Sequence, residues 1–548
     1  MKPLQRGGSF WGATAVALVI FGLTVSKAES QSVSDRARML NHTLPVLQHS
    51  RVMGEVSRRQ DLDLAVVLKV SDRTAVNQRI EQLYDPASPL YHQFRTPAQF
   101  ADEFGPSQGD YETVINFLKD NGLQVTATYP NRLLIEARGK VAQVEEAFAV
   151  KINNYMRDNQ TFFANDRDPA LPLPVASVIA SVRGMENYLE LRRHTRVHSS
   201  VRNLSRTAPG YSPQQIATAY DFNSAYANGI TGRGQTVAIA TAYGFSASDV
   251  SNFWSYYGIK APKYSTVAVG GRTRYIDLET TLDLERAGAM ANGATFIVYE
   301  AATPLLRTFE SVYNRIVSDN KASVVSTSWG LCEQEMPVAF LIANSNIFAE
   351  AAVQGQAWFA ASGDDGSNDC GTSTLAADYP SSDPNVVAVG GTTLNLTGTG
   401  AVLSETAWSD GGGGLSVVFT QPTYQTGSGV FNPYSNGMRQ TADVAFNADP
   451  NTGYSVYFNR SWWEYGGTSF GAPQWAATFA LANSAHGGRL GAGGPTLYGL
   501  ANNSPAQTYP VFHDTASGNN GYYPSASSWD FPTGWGSPDV WNLARDLK

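Results

Sequence analysis

Gly466-Gly467-Thr468-Ser469-Phe470-Gly471-Ala472-Pro473 has the form of a serine-nucleophile turn: glycines flank a serine, and a proline follows at a position suited to the first turn of a helix. Free backbone N–H groups and the positive end of that helix would favour negative charge beside the hydroxyl. A serine hydroxyl is a poor nucleophile until a base takes its proton, and imidazole is the usual base. Yet no histidine occurs from Ser199 to Ala485. An Asp, His, Ser order would have to use His194, His198 or an earlier histidine, in a basic, Ser-rich stretch that reads as a linker. The Ser, acid, His order of an α/β-hydrolase elbow fails too, because no Asp or Glu lies between Ser469 and His513, the last histidine. A carboxylate is therefore the expected base of an active enzyme. An inert helix cap is the alternative.

Upstream of this turn, near-continuous apolar runs recur at Thr236–Ala242, residues 295–299, residues 323–328, Ala357–Ala361 and residues 386–389, with helical segments between them. Buried parallel strands read this way, because helices cover both faces of the sheet. The expected fold class is α/β, a doubly wound parallel sheet. Ligands of such sheets sit beyond the carboxyl ends of the strands, where the Asp364 and Ser469 loops fall. Residues 36–195 alternate differently, with strands predicted at 62–70 and 132–137 and helices at 75–84, 111–121 and Val141–Phe148. That is a smaller α+β unit. Residues 192–206, rich in Arg, His, Ser and Thr without hydrophobic periodicity, read as an exposed linker and cleavage region.

The 548-residue chain has room for two or more domains, and its 43% hydrophobic and 16% charged content is that of a globular protein. Residues 1–28 carry Lys2 and Arg6, an apolar run from Trp11 to Val25, and small residues Ser26 and Ala28, the pattern of a cleavable secretory signal. The net charge of −8 hides an asymmetry: from Thr207 onward 14 Lys and Arg face 26 Asp and Glu, whereas the part before it carries a net +4. The two parts should attract each other at neutral pH and less so in acid. Two cysteines, Cys332 and Cys370, in an exported chain point to a disulfide, worth roughly 4 kcal/mol in the chain-entropy model. Two separate buried thiols are the alternative.

Three elements carry candidate chemistry. Glu279 and Asp283 stand at i and i+4 of a helical pattern, and two close carboxylates repel, so that one holds a proton that can be passed on. A solvent-facing acidic pair is the alternative. Asp364, in Ala360-Ala361-Ser362-Gly363-Asp364-Asp365-Gly366 directly after an apolar strand, could be held neutral and donate to a developing oxyanion, or could simply form a turn. Ser469 is the third.

Together with the basic leader these elements resemble the sedolisin family, the serine-carboxyl peptidases. The leader is similar to that family's pro-kumamolisin-type activation domain in Asp85-Pro86-Ala87-Ser88-Pro89-Leu90-Tyr91-His92 and Phe104-Gly105-Pro106-Ser107; the remainder is similar in Glu279-x-x-x-Asp283, Ser328-Trp329-Gly330, Gly363-Asp364 and Gly467-Thr468-Ser469-x-x-x-Pro473. The resemblance implies a subtilisin-like catalytic domain over residues 208–548, preceded by a signal peptide at 1–28, an α+β, ferredoxin-like prodomain at 29–190 and a linker with a processing site at 191–207. It implies Ser469 as nucleophile, Glu279 as general base, Asp283 as the group that orients Glu279, and Asp364 as oxyanion donor. Phe512-His513-Asp514-Thr515 and Ala526-Ser527-Ser528-Trp529-Asp530 are similar to the family's calcium loop. There one structural Ca²⁺ would be held by the carboxylates of Asp514 and Asp530 and the carbonyls of Thr515, Ala526 and Ser528. Glycines are usual at the positions of Ala526 and Ser528. The implied protein is a secreted, extracellular zymogen and a monomer. Its partners would be protein or peptide substrates and its own prodomain, with neither nucleic acid nor, after signal removal, membrane. Hydrolysis should favour acid. A non-catalytic binding protein of the same fold and a Ser-His hydrolase are the rivals.

Overall fold

The computed structural model describes residues 36–198, 208–503 and 509–547; the signal segment at 1–28 and the end of the linker lie outside them. The apolar runs of the larger unit form one sheet in the order Lys263–Val269, Thr295–Ala301, Thr236–Ala242, Val324–Thr327, Ala357–Ala361, Val387–Leu396, all parallel. Val402–Ala407 adds an antiparallel edge, and Val444–Asn447 joins in parallel beside residues 389–392. The α/β class and the doubly wound arrangement are as expected. Helices Leu278–Met290 and Gly471–His486 cover one face; Leu306–Asp319 and Val338–Val353 cover the other.

The leader carries the antiparallel sheet Gln124–Thr128, Leu134–Lys140, Asp61–Leu68, Ile179–Arg183, with Gln108–Asp120 and Val141–Phe148 as its crossover helices. Numbered along the chain, the strands lie 2-3-1-4, the ferredoxin-like order the resemblance implied. A second sheet, which periodicity did not reveal, joins Arg51–Glu55, ahead of the first of these strands, to the hairpin Ile152–Arg157 and Gln160–Asn165, inserted before the last.

This leader sheet packs against Leu306–Asp319 and Val338–Val353, so those helices lie between two sheets. Such helices need apolar residues on both packed faces, and Phe340, Leu341 and Ala343 near the start of Val338–Val353 are buried accordingly, while Val338 and Ile342 stay exposed. Their buried polar side chains reach into the leader. Asn131 Nδ2 donates to Glu350 Oε2 and to Asn314 Oδ1, both at 2.8 Å. Arg73 donates to Asn346 and Ser345, and Tyr84 to the Ala352 carbonyl at 2.7 Å. Cys332 and Cys370 are bridged, tying the Trp329–Cys332 strand to the loop after Asp364. Among the described residues no helix is long and apolar enough to cross a membrane.

Candidate active site

Every residue of the Leu278–Met290 helix is buried, so Glu279 and Asp283 are not a solvent-facing pair. Asp277 caps the helix, its Oδ1 accepting the Glu279 N–H at 2.8 Å. Asp283 Oδ1 accepts the Ser328 hydroxyl at 2.7 Å, and the Ser469 hydroxyl donates to the Ser328 carbonyl at 3.4 Å. Ser328 thereby joins the acid helix to the serine turn. Burial raises the Glu279 carboxyl above its usual range; the Thr195 and Ser469 hydroxyls, which favour its ionised form, only partly offset this. Burial raises Asp283 further, and repulsion from Glu279 adds to it.

Asp364 follows its strand into the same crevice. Its Oδ1 accepts the Thr468 N–H at 2.8 Å and the Thr468 hydroxyl at 2.9 Å, whereas Oδ2 is buried without a hydrogen-bond partner. Burial raises this carboxyl too, against the pull of His194, Thr468 and Arg196. Gly467 sits at φ +116°, a region that glycine adopts at little cost. A Cβ there would lie 2.6 Å from Asp364 Oδ2 and 2.2 Å from the His194 carbonyl oxygen, so both oxygens converge on one point beside the serine turn.

The stretch read as an exposed linker fills this crevice as far as it is described. Arg192–Arg193 pairs antiparallel with Trp329–Gly330, and Arg196–Val197 with Tyr465–Gly466. The His194 carbonyl accepts the Ser469 N–H at 3.0 Å. The Thr195 hydroxyl donates to Glu279 Oε2. Arg193 pairs with Asp277 at 3.2 Å, and Arg196 with the Asp365 side chain at 2.5 Å. Sequence reasoning missed this because backbone pairing of an extended strip leaves no hydrophobic period. It also assigned no role to Ser328, Thr468 or Asp378; only the nearness of Ser328 to Trp329-Gly330 hinted at one.

A neutral imidazole is absent from the serine. The His194 ring is paired with Asp378, Nε2 to Oδ2 at 3.2 Å. Burial opposes its charge, but Asp378, Asp364 and Asp369 outweigh that and lift it to about 10, so it is an imidazolium without a free lone pair. His486 packs edge-on to His92, and His513 lies by Asp539.

In the last loop, Asp514 Oδ2 accepts the Ser528 N–H at 2.9 Å, and Asp530 Oδ2 accepts the Ala526 N–H at 2.8 Å. The two carboxylates grip one loop from both sides. Ser528 keeps a left-handed φ of 69°, the conformation a glycine would adopt there. No cluster of three or more His, Cys, Asp or Glu suited to a metal occurs among the described residues.

Residues 48–188 match the Pro-kumamolisin activation domain, and residues 276–536 match the subtilase family. The chain is 30% identical to sedolisin of Pseudomonas sp. (strain 101) over 532 residues, 90% of this chain and 88% of that one. It belongs to the sedolisin family. To kumamolisin of Bacillus sp. (strain MN-32) this sedolisin-family chain is 31% identical over 516 residues, 88% of it and 91% of the relative. The solved Pseudomonas sedolisin, a serine-carboxyl proteinase complexed with pseudo-iodotyrostatin, superposes with a TM-score of 0.56 at 33% identity, covering 62% of this chain and 98% of that one. The protein is a serine-type peptidase made as a zymogen, with peptides as substrates and an activation domain as intramolecular inhibitor.

Proposed function

We propose that this is an acid-active serine-carboxyl endopeptidase, exported as a zymogen and acting extracellularly as a monomer, in which Ser469 attacks the peptide carbonyl and Glu279 takes its proton. The observation that carries this reading is the shared crevice of the Ser469 hydroxyl, the buried Glu279 and Asp283 pair and Asp364, with no neutral imidazole at hand. Asp283, held by Ser328, keeps a proton beside Glu279 and orients it. The Ser469 N–H and a protonated Asp364 Oδ2 would bind the oxyanion.

Glu279 must be ionised to act as base, a form that the hydroxyl hydrogen bonds favour against burial, and this sets the acid limit; the neutral limit follows from the charges around Asp364. His194 and Arg196, the cations that favour its ionised form, lie on the strip that fills the crevice. Their departure on activation leaves burial to hold Asp364 neutral and able to donate. Rising pH must eventually ionise it and set a negative charge against the oxyanion. Endopeptidase action is favoured because residues 192–194 and 195–197 occupy the crevice on both sides of Ser469, so a chain passes through without a blocked end.

Asp514 and Asp530, with the carbonyls of Thr515, Ala526 and Ser528, fit a Ca²⁺ site, since the donors are hard oxygens on one loop with a glycine-like turn at Ser528. The ion would brace this loop, and its removal by EGTA should lower the melting temperature without altering the reacting groups.

The deciding experiment is a pH-rate profile of the activated enzyme on an unfolded protein, beside Glu279→Gln. Activity confined to acid, and lost in the variant, is expected; a profile flat to neutrality would sink the assignment.

A further inference from the structure

The strip in the crevice is held on two sides of a single peptide link. Upstream, Arg192 pairs with Gly330, and the His194 N–H donates to the Ser328 carbonyl at 3.3 Å. Downstream, Arg196 pairs with Gly466. Between these anchors the His194 carbonyl faces the Ser469 N–H at 3.0 Å, where an oxyanion would form, and the Thr195 hydroxyl reaches Glu279. No other carbonyl of the strip makes a hydrogen bond to the serine turn's Ser469 N–H, so the register singles out one bond.

The pocket behind that bond has its own chemistry. The His194 ring is buried, with Asp378 Oδ2 3.2 Å from Nε2 and Asp369 alongside Asp378. Gly330 forms one wall: a Cβ there would come within 2.7 Å of His194 Nε2 and 2.0 Å of Asp378 Oδ1. Two carboxyl groups at the base of a tight pocket fit a cationic donor and oppose an acidic or purely apolar side chain, which would leave them unpaired.

Resting on the peptidase reading above, we infer that His194–Thr195 is the first bond this enzyme cuts in its own chain, selected because the Asp378 and Asp369 pocket accepts a basic side chain on the acyl side. Ser469 Oγ bonds to the His194 carbonyl carbon as its proton passes to Glu279. The C–N bond to Thr195 then breaks, and Glu279 returns the proton to the Thr195 amine. Water attacks the acyl-enzyme, giving one proton through Glu279 back to Ser469 Oγ as the ester bond breaks and leaving a His194 carboxyl group that keeps the other or releases it to solvent. The leader keeps its contacts with Leu306–Asp319 and Val338–Val353 after the cut, so release is a separate step.

The test uses the full chain, brought to acid and sampled from the earliest times by intact mass and N-terminal sequencing, with Ser469→Ala as the uncut reference. A leader fragment ending at His194 and a first new N-terminus at Thr195 are expected. His194→Lys should cut at the same bond at a similar rate, whereas His194→Glu should slow that cut at least tenfold while folding as the precursor. On short peptides, the activated enzyme should prefer Lys over Glu at the acyl position by at least tenfold in kcat/KM. A first N-terminus elsewhere, with Ser469→Ala uncut and peptides hydrolysed, overturns the inference and leaves the peptidase reading standing. Equal cutting of His194→Glu and wild type overturns the selection by charge. A wild-type chain that neither cuts itself nor hydrolyses peptides overturns both.

Discussion

Residues 36–191 cover the helical back of the catalytic domain with a broad packed surface, whereas residues 192–198 meet its cleft as one extended strip. The broad surface works through shape and buried polar side chains: Asn131 against Glu350 and Asn314, Arg73 against Ser345 and Asn346, Tyr84 against Ala352. Those contacts are specific to these residues and distant from Ser469. The strip works through backbone pairing, which any extended chain can reproduce, plus the charged side chains of Arg193, His194 and Arg196. One region therefore sets how tightly the leader is held, and the other sets what it blocks. The charge attraction read from the sequence is concentrated on the strip.

The largest break between the two regions should come from Ser469→Ala and Glu279→Gln, each expected to reduce peptide hydrolysis by about 10⁴-fold or more with the leader interface unchanged. Steady-state rates and a melting curve check it. More than a tenth of wild-type activity in Glu279→Gln would exclude the carboxylate base. Asp364→Ala should cost about 10²- to 10³-fold in kcat, the range for a lost oxyanion donor, with KM little changed.

A pH effect on the whole precursor comes next. Burial lifts Glu310 and Glu350, which line the leader interface, to about 8, against Arg183 for Glu310 and Asn131 for Glu350. Each is raised above its ordinary value of 4.5, so the folded chain binds more protons than the unfolded one between those values. Their contribution to stability is complete below the ordinary carboxylate range and is lost as pH rises toward 8. His42, lowered to about 4 by burial and by Arg183, opposes this only at the acid end. Calorimetry of the Ser469→Ala precursor should show a falling melting temperature from pH 5 to 8; a rise would mean the interface is held by ionised groups.

The smallest effect should be Asn131→Ala. Loss of its hydrogen bonds leaves buried acceptors unpaired at a cost of about 1–3 kcal/mol, so the cut leader should dissociate several-fold to about 100-fold faster. The kcat of the separated enzyme should not change. A changed kcat would show that the back surface and the cleft are coupled.

The sheet was legible because strands covered on both faces must be apolar throughout, and the runs at Thr236–Ala242 and Ala357–Ala361 coincide with strands residue for residue. The candidate residues were nameable for a different reason: the absence of histidine from Ser199 to Ala485 left carboxylates as the available bases near the serine turn. Thr468 and Ser328 were not legible as partners, since a threonine or serine hydroxyl finds its acceptor only when distant segments meet. The Asp378 pocket was hidden likewise, because Asp378 and His194 are far apart in the chain and Gly330 between them counts only through the space it leaves.

What the sequence determined by itself was the layered α/β plan, which follows from local composition and spacing, and, through the motifs that resemble the sedolisin family, the expectation of a serine-type peptidase. What tertiary structure decided was that the segment read as a solvent-exposed linker, where it is described, is threaded past Ser469 with one bond in register. Strand pairing in a cleft depends on backbone groups that every residue shares, so no pattern of side chains along residues 192–198 could announce it.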